Sequence, residues 1–243
     1  MLSFSQQLWQ AVSERWREKS ARGNALSAAA DILRAFASFL RDSTPERRRS
    51  RYGDMDYDWE HRVDTTSGSV GWRERLLGVF HSPYQPTDAA LFREMMHGLP
   101  IDFTQFTFID IGSGKGRTLL MASEYPFRSI VGVEILPGLH EVAQQNITVY
   151  ESSTAGERIQ AIWMDAADYV FPEQPLLVYL FNPLPEACLR KTLQHLEDSL
   201  MQSPREAWIV YHNPLLEAIL ERSRILLRVT STPQYAIYRT GAN

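Results

Sequence analysis

Apolar positions change rhythm along this chain, and each rhythm predicts a different element. Phe4, Leu8, Val12 and Trp16 recur at four-residue spacing, the stripe of an amphipathic helix, until ARGN at 21–24 breaks it. Ile32, Leu33, Phe36, Phe39 and Leu40 mark a second such helix. Residues 1–42 are therefore expected to form a helical hairpin on the main domain. A homodimer contact or a membrane-surface role is the competing use of such a pair. Residues 43–71 lose the pattern. Arg47, Arg48, Arg49 and Arg51 form a basic cluster, and Asp54, Asp56, Asp58 and Glu60 an acidic one, so a solvated connector is expected. The acidic run lacks the central glycine and terminal glutamate of a calcium loop.

From residue 86 strand and helix signals alternate. Pro86–Thr87 opens a helix from Asp88 to His97, which Gly98 and Pro100 stop. Strands are predicted at 106–110 (FTFID), 129–134 (SIVGVE), 158–165 (RIQAIWMD), 175–183 (PLLVYLFNP) and 206–214 (EAWIVYHNP). Helices are predicted after the first strand, at 137–147, at 186–201 and over 215–222. The leading strands are nearly continuous apolar runs, as a parallel sheet covered on both faces requires. Two last strands, RILLRVTS and QYAIYRT, are joined too tightly for a crossover helix and must pair as an antiparallel hairpin near the sheet edge. The expected fold is a doubly wound, Rossmann-like α/β sheet at 81–243, preceded by a helical extension and polar linker at 1–80.

Composition narrows the class. The chain has 243 residues, 44% of them hydrophobic and 22% charged, which suits a globular protein with a sizeable core. A net charge of −4 argues against a nucleic-acid partner. Cys188 is the one cysteine, so neither a disulfide framework nor a cysteine zinc site is expected within a chain. No apolar run is long enough to span a membrane, and the opening MLSFSQQLWQ lacks the cationic and apolar blocks of a signal peptide. A cytoplasmic location is the expectation.

The chemistry concentrates in FIDIGSGKGRT at 108–118. A phosphate-binding P-loop would need a hydroxyl after Lys115, where Gly116 stands, and a glycine where Ile109 stands. A dinucleotide turn would need its third glycine at Arg117. IDIGSGKG instead resembles the first motif of class I S-adenosylmethionine-dependent methyltransferases, a strand-end acid followed by G-x-G-x-G. The resemblance covers about residues 80–240. It implies that Asp110, Gly112, Ser113, Gly114, Gly116 and Arg117 bind the cofactor's amino-acid end. It also implies that Glu134, ending the second strand, binds the ribose hydroxyls, and that Asp165 and Ala166 after the third strand sit at the adenine. The segment SPYQPT is similar to one that precedes this motif in non-SET protein-lysine methyltransferases, where it helps to cover the cofactor. It makes Tyr84 and Thr87 candidates.

FNPLP at 181–185 resembles the [DN]-P-P-[YFW] motif of amino-group methyltransferases, which implies that Asn182 aligns the acceptor nitrogen beside the cofactor. Leu184 and Pro185 depart from it and remove the aromatic that stacks on a planar base, which weakens a nucleobase acceptor. The resemblance thus implies N-directed methyl transfer, to a protein lysine or a small molecule. A silent cofactor-binding protein and a nicotinamide oxidoreductase are the alternatives. His212 in YHNP is the best placed histidine to act as a base, against a structural role at a strand end. The histidines share no metal-ligand spacing, and Cys188 is expected to be a packing residue.

Overall fold

The alternating segments assemble into one seven-stranded sheet in the computed structural model, which describes residues 4–22, 25–42, 55–66, 72–73, 76–77, 84–154, 158–181 and 184–241. The basic cluster at Arg47–Arg51 lies outside the described residues. The chain divides into two compact units: Met1–Asp56 with Thr66–Gln85, and Tyr57–Thr65 with Pro86–Asn243.

In the first unit, α1 (Phe4–Arg22) and α2 (Ala25–Asp42) pack on each other through Phe4, Leu8, Ala11, Val12, Ile32, Ala35 and Phe39. Arg15 Nε donates to Asp31 Oδ2 at 2.6 Å between the two helices. The inward face of α2 is therefore Ile32, Ala35 and Phe39. Leu33 and Leu40, also part of the apolar pattern, turn outward at 69% and 68% exposure.

The second unit opens with the end of α3 (Met55–His61), followed by α4 (Ala89–His97). Then come β1 (Thr107–Ile111), α5 (Arg117–Ala122), β2 (Ser129–Glu134), α6 (Pro137–Thr154) and β3 (Ile159–Trp163). The chain continues through β4 (Leu176–Phe181), α7 (Glu186–Gln202), β5 (Ala207–His212), α8 (Glu217–Leu220), β6 (Leu226–Ser231) and β7 (Tyr235–Thr240). Strand order is β3-β2-β1-β4-β5-β7-β6. β1 to β5 pair in parallel, and β7 enters antiparallel between β5 and β6. The sheet is doubly wound and its last strand is reversed, as the alternating helices and the tight final connection predict.

Alternation within the strands builds two cores. Ile109, Ile111, Val178, Leu180 and Ile209 face Leu189, Leu193 and Leu196 of α7. Phe108, Leu177, Tyr179 and Val210 face Phe92, Met95 and Met96 of α4 and Leu119 and Leu120 of α5. Those three α4 side chains are fully buried, and each contributes about 1.5–3 kcal/mol by leaving water. β1, β4 and β5 are buried on both faces, which is why they read as continuous apolar runs, whereas the edge strands β3 and β6 are partly open. α6 runs past its predicted end at 147 because Ile147 and Tyr150 extend its inward face. No helix among the described residues is long and apolar enough to cross a membrane.

This order fixes the place of a ligand. β1 lies between β2 and β4, so the connections leave its carboxyl end in opposite directions and open a crevice there. In-register pairing sets Asp110 beside Gly132 and Tyr179, and Phe181 beside His212.

Candidate functional site

After β1 the chain turns through Gly112, Gly114 and Gly116 at φ of +80°, +55° and +82°, and α5 starts at once. These are left-handed values that a side chain at Cβ disfavours, which explains the alternation of glycines. The turn is bonded to its neighbours. Gly112 N and Ser113 N donate to Val133 O at 2.8 and 3.1 Å, and Gly116 N donates to Ser113 O at 2.8 Å. Gly114 N donates to Glu134 Oε2 at 2.8 Å. Four amides of the turn are thus engaged inside the protein, and the glycines offer a ligand bare backbone and turn geometry. Ser113 folds inward against Gly132 of β2, where an added Cβ would stand 2.6 Å from Ser113 Oγ and 2.6 Å from Leu119 Cδ1.

Two carboxylates end adjacent strands. Glu134 is 6% exposed and takes the Gly114 amide on Oε2 and the Leu136 amide on Oε1, the latter at 2.7 Å. Burial pushes its pKa up, opposed by the backbone hydrogen bonds. Asp110 is 2% exposed and accepts the Thr118 hydroxyl on Oδ2. Burial pushes its pKa up to about 7, the Thr118 bond opposes the shift, and the charge of Glu134 adds to it. Each carboxylate oxygen can accept more than one hydrogen bond. The pair therefore keeps some capacity to accept further hydrogen bonds.

The third strand end joins this edge through Met164 N, which donates to Glu134 O at 3.0 Å. Asp165 Oδ1 accepts the Ala167 amide at 2.9 Å and so caps a short turn in which Ala166 is buried. Cys188 Sγ donates to the same oxygen at 3.6 Å. Burial, with Asp165 adding, pushes that thiol up to about 12 and keeps it protonated.

On the other side of β1, a buried polar chain links three elements. Thr87 Oγ1 lies 3.0 Å from Tyr179 Oη, which lies 2.8 Å from His212 Nδ1. Asp88, accepting the Leu91 amide, caps α4, so Thr87 does not cap the helix and is held in the core by Tyr179. The His212 ring stacks on Phe181 at 3.9 Å between centroids. Burial pulls its pKa down to about 4, so it is neutral at pH 7 and a weak base. The geometry favours the structural reading of His212. Asn182 and Pro183 lie outside the described residues. Leu184, next to them, is half-buried against the core. Tyr84 belongs to the first unit.

One part of the site has no counterpart in the sequence motifs. Segment 57–65, expected as solvated connector, contacts the glycine turn. Asp64 Oδ1 pairs with Lys115 Nζ at 2.8 Å, and Lys115 is 1% exposed. Arg117, a candidate for cofactor contact, is buried with its guanidinium 4.4 Å from the Tyr57 ring centroid. Tyr57, His61 and Tyr150 stack in series. Tyr57, an aromatic among the acids, is the residue of this segment that could have signalled a buried contact.

The structure thus brings Asp110, Gly112, Ser113, Gly114, Gly116, Arg117 and Glu134 together at the ends of β1 and β2, with Asp165 and Ala166 one strand further. Among the described residues no three His, Cys, Asp or Glu side chains gather as a metal-ligand group.

No protein-family model matches the chain, and no curated protein matches it. Among solved structures it is similar to a ribosomal protein L11 methylase of Lactobacillus delbrueckii subsp. bulgaricus, with 15% identity over 63% of this chain and 75% of that one, at a TM-score of 0.41. It is similar to an RNA methyltransferase of Salinibacter ruber in complex with S-adenosyl-L-homocysteine, with 18% identity over 64% and 92% of the two chains and a TM-score of 0.41. A precorrin 8w decarboxylase of Methanobacterium thermoautotrophicum matches with 15% identity over 65% and 93%, at 0.43. These likenesses are in the course of the chain and carry no chemistry across.

Proposed function

We propose that this protein is an S-adenosylmethionine-dependent methyltransferase directed at nitrogen, with a protein lysine as the acceptor. The observation that carries the cofactor assignment is the pair of buried carboxylates, Asp110 and Glu134, flanking a turn of left-handed glycines at the carboxyl edge of the sheet. The residues present fit that cofactor. Glu134 would accept two ribose hydroxyls beside the amides it already takes, and Asp110 would hold an ammonium. The bare turn admits close approach. Ser113 Oγ, buried and with no hydrogen-bond partner among the described residues, is a further polar group at the turn.

The bound cofactor supplies an electrophilic methyl group on a sulfonium sulfur. What remains for the chain is to position, neutralise and exclude water. Asp165 and Ala166 border the position the resemblance gives the adenine. Thr87, on the other side of β1, is held by Tyr179 of β4. Asn182 would accept hydrogen bonds from the acceptor amine through its side-chain oxygen and leave the nitrogen lone pair directed at the methyl group. A lysine reacts uncharged, and an apolar surround favours that form.

Purified protein incubated with methyl-labelled cofactor and fractionated cell extract tests the reading. Label recovered as methyl-lysine supports it. Label in RNA or in small metabolites reassigns the acceptor. Cofactor binding without label anywhere makes the protein a silent binder.

A further inference from the structure

We propose that Asp64 and Asn146 are positioning residues that set the shape of the glycine turn from outside it, and thereby the affinity of the cofactor site; this rests on the cofactor reading above. A turn with three left-handed glycines loses much conformational freedom on ordering, and ordering it before the ligand arrives removes that loss from binding. Lys115, between Gly114 and Gly116, is held at both ends. Its carbonyl accepts Asn146 Nδ2 at 3.0 Å, and its ammonium lies 2.8 Å from Asp64 Oδ1.

Asn146 joins the two partners. Besides the bond to Lys115, its Nδ2 donates to Asp64 O at 2.8 Å and its Oδ1 accepts the Asp64 amide at 2.8 Å. Both N–H groups and the carbonyl of this side chain, itself 4% exposed, are therefore engaged. Asp64 is fixed from its own side as well. Val63 N donates to Asp58 O at 3.1 Å across the left-handed Arg62, and Thr65 N donates to Asp58 Oδ2 at 2.7 Å. Arg117, just past Gly116, lies under Tyr57. Both cationic side chains flanking Gly116 are thus received by one segment, Tyr57–Thr65, in a unit whose remaining residues begin at Pro86.

Calorimetry with S-adenosylhomocysteine on the full chain tests the proposal, with amide exchange of residues 112–116 as the second readout. Asp64→Asn keeps the backbone bonds to Asn146 and removes only the charge facing Lys115. Wild type binds, and Asp64→Asn and Asn146→Ala each bind about tenfold more weakly. Exchange of the turn amides is faster in both, while that of β1 and β4 is unchanged. Wild-type binding with both single variants within about twofold of it overturns the proposal. A wild type that fails to bind overturns the cofactor reading and this inference with it. If Asn146→Ala does not fold, the half-exposed Asp64 position decides the matter alone.

Discussion

Glu134 Oε2 accepts the amide of Gly114 at 2.8 Å, so the carboxylate that ends β2 also fixes the turn that follows β1. One side chain thereby links the predicted ribose contact to the predicted methionine contact. Glu134→Ala should abolish measurable S-adenosylhomocysteine binding, and Glu134→Gln should weaken it by about 10- to 100-fold, the scale of one or two hydrogen bonds to a charged acceptor. Isothermal calorimetry checks this, with thermal melting to confirm folding. Unchanged affinity in Glu134→Gln would remove the residue from the site.

Gly132 is glycine because Ser113 and Leu119 occupy the space of a side chain. Gly132→Ala should destabilise the fold by about 1–3 kcal/mol through overpacking. Pairing it with Ser113→Gly should restore only part, since Leu119 still blocks the Cβ. Denaturant unfolding of the three variants measures both effects.

Burial raises Asp110 to about 7 in the folded protein, from an ordinary value of 3.8. The folded state therefore binds more protons than the unfolded state between those limits, and this group's contribution to stability falls as pH rises from about 4 to about 7. Melting curves across that range should fall less steeply for Asp110→Asn than for wild type. An ammonium beside Asp110 favours the ionised form, so cofactor affinity should increase as pH is raised through 7. Equal pH slopes in the two proteins would contradict this assignment.

His212 shows the opposite sign. Its pKa is pulled down to about 4 from 6.5 by burial, so the folded state binds fewer protons between those values and stability is lost as pH falls through them. The imidazole NMR signals should stay at their neutral positions down to pH 5. Tyr179→Phe should cost about 1–3 kcal/mol, because Thr87 Oγ1 and His212 Nδ1 both lose a buried partner. A His212 titration near 6.5 would contradict the neutral, hydrogen-bonded ring.

Most of the sheet was legible because its strands are buried on both faces and separated by helices with clear stops. β2 is SIVGVE in both readings, and the last two strands had to form a hairpin because no helix fits between them. The glycine turn and its two acids were legible because backbone shape restricts residue choice there. Segment 57–65 was not. Its contacts to Lys115, Arg117 and Asn146 cross long stretches of sequence, and its charges read as solvated in isolation. Gly132 escaped notice because its reason is a neighbouring side chain. Thr87 precedes Asp88, which caps α4, and its bond to Tyr179 crosses 92 residues that no local pattern connects.

The central claim is that the turn and Glu134 hold S-adenosylmethionine, and the most direct measurement is titration of the full chain with S-adenosylhomocysteine and, separately, with NADH. The account predicts saturable one-to-one heat with the first and none with the second. Heat with NADH alone would contradict it.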